Sequence, residues 1–356
     1  MTSRLRGRRH KSRIASVGVG LTVLLAVGFY LGLNAMQPQA AQPNTADKLF
    51  GPIHVAAAPL PLDPDNPADV TVGRLTYLAG YELTADDKRF GGLSSLIIAP
   101  DGGTLLALSD NGYWVSMNLV HDGDKLVSIR ASRLGVLGSL WSGKLTKKET
   151  DSESFTKATD GSYLVGFEET HRIWRYPPNP KLPGPEALSG RPVDFPMPPL
   201  LQRAEDNESL ESLTVLPDGK ALAILESPIK GEEYNHAWLV DPGGHAEDLF
   251  YDAKDGYSPT DLAVLPDGDV MVVERRYRPI MDIRARFRII KRADIKPGAL
   301  LDGTLVAEIK APLNIDNMEG LAARRGADGA TLIYVVADDN YSPFQRTLLM
   351  EFRLNR

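Results

Sequence analysis

Short apolar runs recur along the chain in pairs, and an Asp-Gly step joins the two members of each pair. The first pair opens with Ser94-Ser95-Leu96-Ile97-Ile98-Ala99, turns at Pro100-Asp101-Gly102 and returns to end at Asp110. The others run from Glu153 through Asp160-Gly161 to Glu168, from Glu211 through Asp218-Gly219 to Glu226, from Thr260 through Asp267-Gly268 to Glu274, and from Glu319 through Asp328-Gly329 to Asp338. Asp-Gly supplies the positive φ of a tight turn, so each pair predicts a β-hairpin. Returning strands such as Val270-Met271-Val272-Val273 are apolar at consecutive positions, which predicts burial on both faces, as in stacked sheets.

The opening positions 94, 153, 211, 260 and 319 lie 59, 58, 49 and 59 residues apart. Repetition of strands at such a period predicts an all-β fold, a β-propeller. Five blades fit the repeats directly, and a sixth, degenerate blade in the insertions would make six. A strand around Thr71–Leu83 is expected to complete the blade that the C-terminal strands begin. The proline-rich stretch from Pro177 to Pro199 lies between repeats and reads as a long loop.

Ahead of the repeats the pattern changes. Residues 1–13 hold Arg4, Arg6, Arg8, Arg9, Lys11 and Arg13 without an acid, and Ile14 to Leu33 is a run of 20 uncharged residues. A basic prefix before such a run predicts a secretory signal or signal anchor at residues 1–36, with the balance toward an uncleaved anchor. The positive-inside rule then places the rest of the chain outside: periplasmic or secreted, and held at the inner membrane by residues 14–33 if uncleaved. Residues 37–69, rich in Ala, Pro and Gln, read as a linker, and residues 70–356 as the propeller domain.

The formal charge is −6, but the prefix contributes six positive charges, so the remainder stands near −12. An acidic domain repels nucleic acid and attracts cations, so nucleic-acid partners are disfavoured. There is no cysteine. Disulfides, thiolate nucleophiles and Cys-ligated metals are thereby excluded.

Each hairpin puts its opening residue and its terminal acid at the end opposite the turn. Asp110, Glu153, Glu168, Glu211, Glu226, Glu274, Glu319 and Asp338 are therefore expected to ring one mouth of the central channel. Carboxylates at this density repel one another unless a cation sits among them, and hard oxygen ligands suit Ca²⁺. Arg172, Arg275 and Arg276, each close in sequence to a terminal acid, are alternative partners. Taken singly, such acids are as well explained as ties between blades. His171, in Glu168-Glu169-Thr170-His171-Arg172, is a candidate general acid or base, with a hydrogen-bonded structural role as the alternative. A Gly-x-Ser-x-Gly elbow, a phosphate-binding Gly-x-x-x-x-Gly-Lys loop and a His-Glu-x-x-His motif are all absent.

Several stretches resemble a known family. They are Phe90-Gly91-Gly92-Leu93-Ser94-Ser95-Leu96, Ala107-Leu108-Ser109-Asp110-Asn111-Gly112, Val165-Gly166-Phe167-Glu168 with His171-Arg172-Ile173 and Tyr176, Asn207 to Glu211, Asp316-Asn317-Met318-Glu319-Gly320-Leu321, Val336-Ala337-Asp338-Asp339-Asn340 and Gln345-Arg346-Thr347-Leu348-Leu349. Together these are similar to the esterase-like activity of phytase family, the phytase-like domain, from about residue 70 to the C-terminus. Ser95, where that family more often has Gly, and Ala337, where Ser is usual, depart from its pattern. The resemblance implies an exported bacterial propeller that hydrolyses phosphate or other esters, with Ca²⁺ in an acidic channel. A dense Lys/Arg cluster for a highly phosphorylated ring is missing.

Two functions follow. In the first, the protein is a hydrolase acting on a small-molecule ester or phosphate ester. Metal held by Glu153, Glu211, Glu319 and Asp338 would assist the reaction, Arg172 or Arg275 would stabilise developing charge, and His171 would protonate the leaving group. In the second, the protein is a non-catalytic, membrane-anchored propeller that binds a ligand or partner protein on its acidic face.

Overall fold

The computed structural model describes residues 49–278 and 282–355. The basic prefix, the uncharged run and the signal or anchor expected there lie outside the described residues. Among the described residues the strands form five sheets, the blades of a propeller. Blade I holds, from the centre outward, Leu93–Ile98, Thr104–Ser109, Tyr113–Asp122 and Lys125–Val136. Blade II holds Ser152–Lys157, Tyr163–Phe167, Arg172–Tyr176 and Val193–Phe195. Blade III holds Ser212–Val215, Ala221–Ile224, Asn235–Val240 and Ala246–Tyr251, with Leu300–Leu301 added in parallel. Blade IV holds Ser258–Val264, Val270–Arg278, Asp282–Ile290 and Thr304–Lys310.

Blade V joins the two ends of the fold. Asn317–Arg325, Thr331–Asp338 and Leu348–Leu354 are completed by Leu75–Ala85, which pairs antiparallel with Leu348–Leu354. The closing strand expected around residues 71–83 is thus in place. The described residues contain five blades and no sixth; the stretch from Pro177 to Pro199, read as a loop, instead supplies Val193–Phe195, which pairs with Arg172–Tyr176 as the outer strand of blade II, and the other insertions hold short 3₁₀ turns and the one-turn helix Lys147–Thr150. The segment read as a linker is strand-forming from Phe50 onward. Phe50–Ile53 pairs with the outer strand of blade I, and Val55–Pro59 pairs with Leu75–Ala85 of blade V. Its Ala- and Pro-rich composition hides this, because an edge strand needs backbone pairing more than apolar side chains.

The repeated Asp-Gly step acts in the same way in all five blades. Each glycine takes a positive φ, from 76° at Gly102 to 93° at Gly268, and donates its N–H three residues back, as Gly268 does to Leu265 O at 2.8 Å. The Asp carboxylate accepts the N–H two residues on, as Asp101 does from Gly103 at 2.9 Å and Asp328 from Ala330 at 2.9 Å. This is a type I turn followed by a left-handed glycine, which explains why both residues of the pair recur.

Five apolar clusters fill the five gaps between blades, one to a gap. Alternate residues of one strand supply opposite gaps. Val270 and Val272 pack toward blade III with Leu222 and Ile224, whereas Met271 and Val273 pack toward blade V with Ile333 and Val335. That is the physical content of a run apolar at every position: a strand buried on both faces. Each fully buried large side chain contributes about 1.5–3 kcal/mol. The gaps are therefore the main source of cohesion in a fold without disulfides.

Candidate functional site

At the end of the blades opposite the Asp-Gly turns, every inner hairpin breaks register where the repeat opens. Leu93 faces Ser109 and Ser95 faces Leu108, so Ser94 is an extra residue. The same slip leaves Glu153, Thr260 and Glu319 extra in blades II, IV and V. In blade III, Ser212 faces Ile224, and the Glu226 N–H then bonds to Ser209 O at 2.8 Å, three residues against two. A β-bulge turns a side chain out of the alternation of its strand. The five opening positions are therefore bulges, which is why the repeat shows at them.

The acids gathered there meet two cations. Arg275, on the second strand of blade IV, donates to Glu211 Oε1 at 3.1 Å and Glu226 Oε1 at 3.2 Å in blade III. On its other side it reaches Asn317 Oδ1 at 2.8 Å and Glu319 Oε1 in blade V. Lys147, on the one-turn helix Lys147–Thr150 between blades I and II, donates to Asp110 O at 2.7 Å, to Asp110 Oδ2 at 3.1 Å and to Asp151. Glu168 accepts the Ser209 N–H, and Glu153 lies within electrostatic reach of Lys147, Asp151 and Glu168. Asp338 faces Glu319 and Asp110 and accepts the Asn340 N–H at 2.7 Å.

Carboxylates outnumber cations here. Among the described residues, Asp110, Asp151, Glu153, Glu168, Glu211, Glu226, Glu319 and Asp338 have ion-pair partners only in Lys147 and Arg275, while Lys148 and Arg172 act on Asp151 from farther off. Burial pushes the Asp110 carboxyl up to about 6, with Asp151 and Asp339 adding to the rise and Lys147 opposing it. Glu319 is pushed up to about 7, again by burial first, while Arg275 opposes the rise. Burial and neighbouring carboxylates hold Glu153, Glu168, Glu211 and Asp338 well above the carboxylate range. Burial works against the charge of Arg275, but Glu211, Glu319 and Glu226 outweigh it and hold the guanidinium protonated.

Within the ring, Glu168, Glu211 and Glu226 each offer one oxygen, all within 4.8 Å of one another. Glu211 Oε2 is buried and has no hydrogen-bond partner. Three hard oxygens and an orphaned carboxylate oxygen fit a divalent cation such as Ca²⁺.

The remaining candidates lie elsewhere. Glu274 turns between blades III and IV, where it accepts from Tyr251 Oη at 2.7 Å and from Arg286. Arg172 is packed over the rings of Phe167, Trp174 and Trp141 at 3.8, 4.2 and 4.3 Å. Two of its nitrogens donate to Thr170 O and Glu149 O. His171 is buried, with Nδ1 2.9 Å from Ser209 Oγ and Nε2 3.3 Å from Ala204 O. Both ring nitrogens are thereby engaged, although Ser209 links His171 to Glu168. Arg276 pairs with Asp282.

Lys147, Asp151, Asn317 and Asp261 were not singled out in the sequence. The acid run Glu149-Thr150-Asp151-Ser152-Glu153 is a signal for Asp151; Lys147 sits outside the repeat and leaves none. Asp261 is fully buried below the ring. It accepts from Ser95 Oγ at 2.9 Å, from the Leu321 N–H at 2.8 Å and from the Leu262 N–H at 2.8 Å, so it ties blade IV to blades I and V. The family departure at Ser95 thus has a partner in this chain.

A family model described as Phytase-like, esterase-like activity of phytase, matches residues 88–341. No curated protein matches the sequence. Among solved structures, an aldose sugar dehydrogenase from Streptomyces coelicolor with PQQ bound is 13% identical, with 84% of this chain and 98% of that chain covered at a TM-score of 0.44. A gluconolactonase from Xanthomonas campestris is 10% identical, with 83% and 97% covered and a TM-score of 0.40. A protein solved as a putative gluconolactonase is 12% identical, with 89% and 99% covered and a TM-score of 0.42. Likeness at this level carries no functional weight.

Proposed function

This chain belongs to the esterase-like activity of phytase family, and on that premise we propose an exported hydrolase that acts on a phosphate ester or another ester with Ca²⁺ among its channel carboxylates. The observation that carries the proposal is the surplus of buried carboxylates over Lys147 and Arg275. Such a surplus must be offset by protons or by a bound cation, and Glu168, Glu211 and Glu226 with the orphaned Glu211 Oε2 are the residues that would hold one. When bound there, a divalent ion would polarise an ester oxygen and acidify water. Glu319, with a carboxyl that titrates at about 7, is suited to hold or release a proton at the channel mouth, a role first given to His171. Arg275 already donates to three carboxylates, so its part is to keep them ordered and partly neutralised. Export, with residues 14–33 as signal or anchor, belongs to the same proposal.

A second reading, a non-catalytic propeller, draws on that same arginine: by joining blades III, IV and V it could serve only to tie them. The two are separated by titrating Ca²⁺ into the chelator-stripped full chain, unaltered and as Glu211→Gln, and by assaying p-nitrophenyl phosphate and p-nitrophenyl acetate. Carboxylate-dependent binding with cation-dependent turnover is expected. Binding that ignores Glu211, or no turnover of either ester with cation present, would sink the hydrolase.

A further inference from the structure

At the opposite end of the blades, a cavity of about 550 Å³ opens between blades IV and V. Its walls are the two Asp-Gly turns of those blades together with the ends of their outer strands, so Arg74, Lys291, Arg325 and Arg353 all line it. The acids on the same walls are largely engaged. Asp269 binds Lys291 Nζ at 2.7 Å and the Arg292 N–H at 2.9 Å, while Asp328 binds Arg353 and the Ala330 N–H. Asp267, the third, accepts the Asp269 N–H within its own turn at 3.2 Å.

Arg74 and Arg325 are different. Both belong to blade V: Arg74 donates to Asn355 O of the same blade at 3.1 Å, and Arg325 reaches across the gap to Pro266 O of blade IV at 2.8 Å. Among the described residues neither has a carboxylate within salt-bridge distance. A single backbone carbonyl fixes each guanidinium and leaves most of its five donors unused. Arg74 also lies close enough to Lys291 to work against its charge. Four cations against three acids on one cavity wall stand out on a domain whose overall charge is near −12.

We propose that this cavity is a binding site for a small molecule carrying two anionic groups, phosphate or carboxylate, with Arg74 and Arg325 each engaging one. Paired guanidiniums match such groups through bidentate, charge-assisted hydrogen bonds. The volume falls within the range of small-molecule sites. Thr331 to Asp338 spans the distance to the acidic mouth, roughly 23 Å of strand at ~3.3 Å per residue, so the two sites bind independently. This site does not depend on the hydrolase assignment.

The test is calorimetric titration of the full chain, stripped of metal with chelator and then dialysed free of it, at low salt, with pyrophosphate in one arm and citrate in the other. Saturable binding of at least one, with Kd below about 1 mM, is expected. Arg74→Gln with Arg325→Gln should weaken it at least roughly ten-fold and leave melting unchanged, since both side chains are exposed. Glu211→Gln at the other mouth should leave the anion affinity as it was. The proposal is overturned by absence of saturation up to about 10 mM, by an unchanged Kd in the double variant, or by loss of binding in Glu211→Gln. Glu211→Gln also lets the two sites fail separately, because it is expected to weaken the proposed Ca²⁺ binding at the mouth without touching this cavity.

Discussion

Replacing Arg275 with Met is the sharpest probe of the acidic mouth, because one side chain serves three carboxylates from two neighbouring blades. Its contacts with Glu211 and Glu226, at 3.1 and 3.2 Å, each correspond to about 5 kcal/mol of gross Coulomb attraction at an effective dielectric of ~20. Desolvation offsets most of that, and removing one partner from a buried ion pair typically costs about 3–5 kcal/mol. The loss should depend on pH. Arg275 opposes the rise of Glu211 and Glu319, so without the guanidinium these two bind protons more tightly and their titrations move upward. At low pH Glu211 and Glu319 are protonated with or without Arg275, and the variant loses little. As pH rises past about 7, where Glu319 normally ionises, the variant must either hold protons or bury unpaired charge. Urea unfolding of the full chain in chelator should therefore show a loss of about 3–5 kcal/mol at pH 8 and about 1 kcal/mol or less at pH 5. Adding Glu319→Gln should recover part of the loss at pH 8. An equal loss at both pH values, or no recovery, would refute this electrostatic account and leave Arg275 as a packing element.

Other outcomes follow from the same geometry. Asp110 and Glu319 have folded-state values raised to about 6 and about 7, so their contribution to stability is complete below the unfolded carboxylate range and is lost as pH rises. Melting scans of the stripped protein should fall between pH 5 and 8, and Ca²⁺ should flatten the upper part of that profile; a metal-free profile that rises instead would contradict the charge surplus. Glu211→Gln removes a repelling carboxylate, so the stripped variant should melt no lower than the unaltered protein while binding Ca²⁺ at least roughly ten-fold more weakly, as read by calorimetry. Phe287→Ala, in the gap between blades IV and V, should cost about 3–5 kcal/mol in urea unfolding, and a cost under about 1 kcal/mol would deny that gap its role. Ser95→Ala removes one donor from buried Asp261 and should cost about 1–3 kcal/mol, with Ser95→Thr milder, by the same measurement.

The propeller was legible because its turn chemistry is repeated: each Asp-Gly step answers one backbone requirement, and the strand pattern is set by burial on two faces. The converging acids were legible for a related reason, since they sit at bulges and strand ends whose positions the repeat fixes. Glu274 shares that position but not that direction, because Tyr251 and Arg286 draw it into the gap between blades, and sequence spacing does not record which face a strand end presents. Lys147 was invisible, since it comes from an irregular connection that only tertiary packing brings to Asp110 and Asp151. His171 looked chemically available because sequence shows its neighbours along the chain, while Ser209 and Ala204, which occupy its two nitrogens, come from a later connection. The strands at Phe50–Pro59 went unseen because an edge strand can be held by backbone alone.

The seam in blade V sets a time order on folding. Thr76 and Asn355 meet across 279 positions of chain, so the first strand of the ring waits for the last before it can be enclosed. Until then blades I and IV each present an uncovered apolar flank, and loop-closure entropy works against the union. Phe50–Ile53 on blade I and Val55–Pro59 on Leu75–Ala85 both bind the N-terminal side of that seam, and just beyond them Leu62 O crosses it by accepting the Asn314 N–H at 2.7 Å. Once latched, the ring has no free end from which to unravel, and its escape from the native state is governed by how seldom this one junction opens.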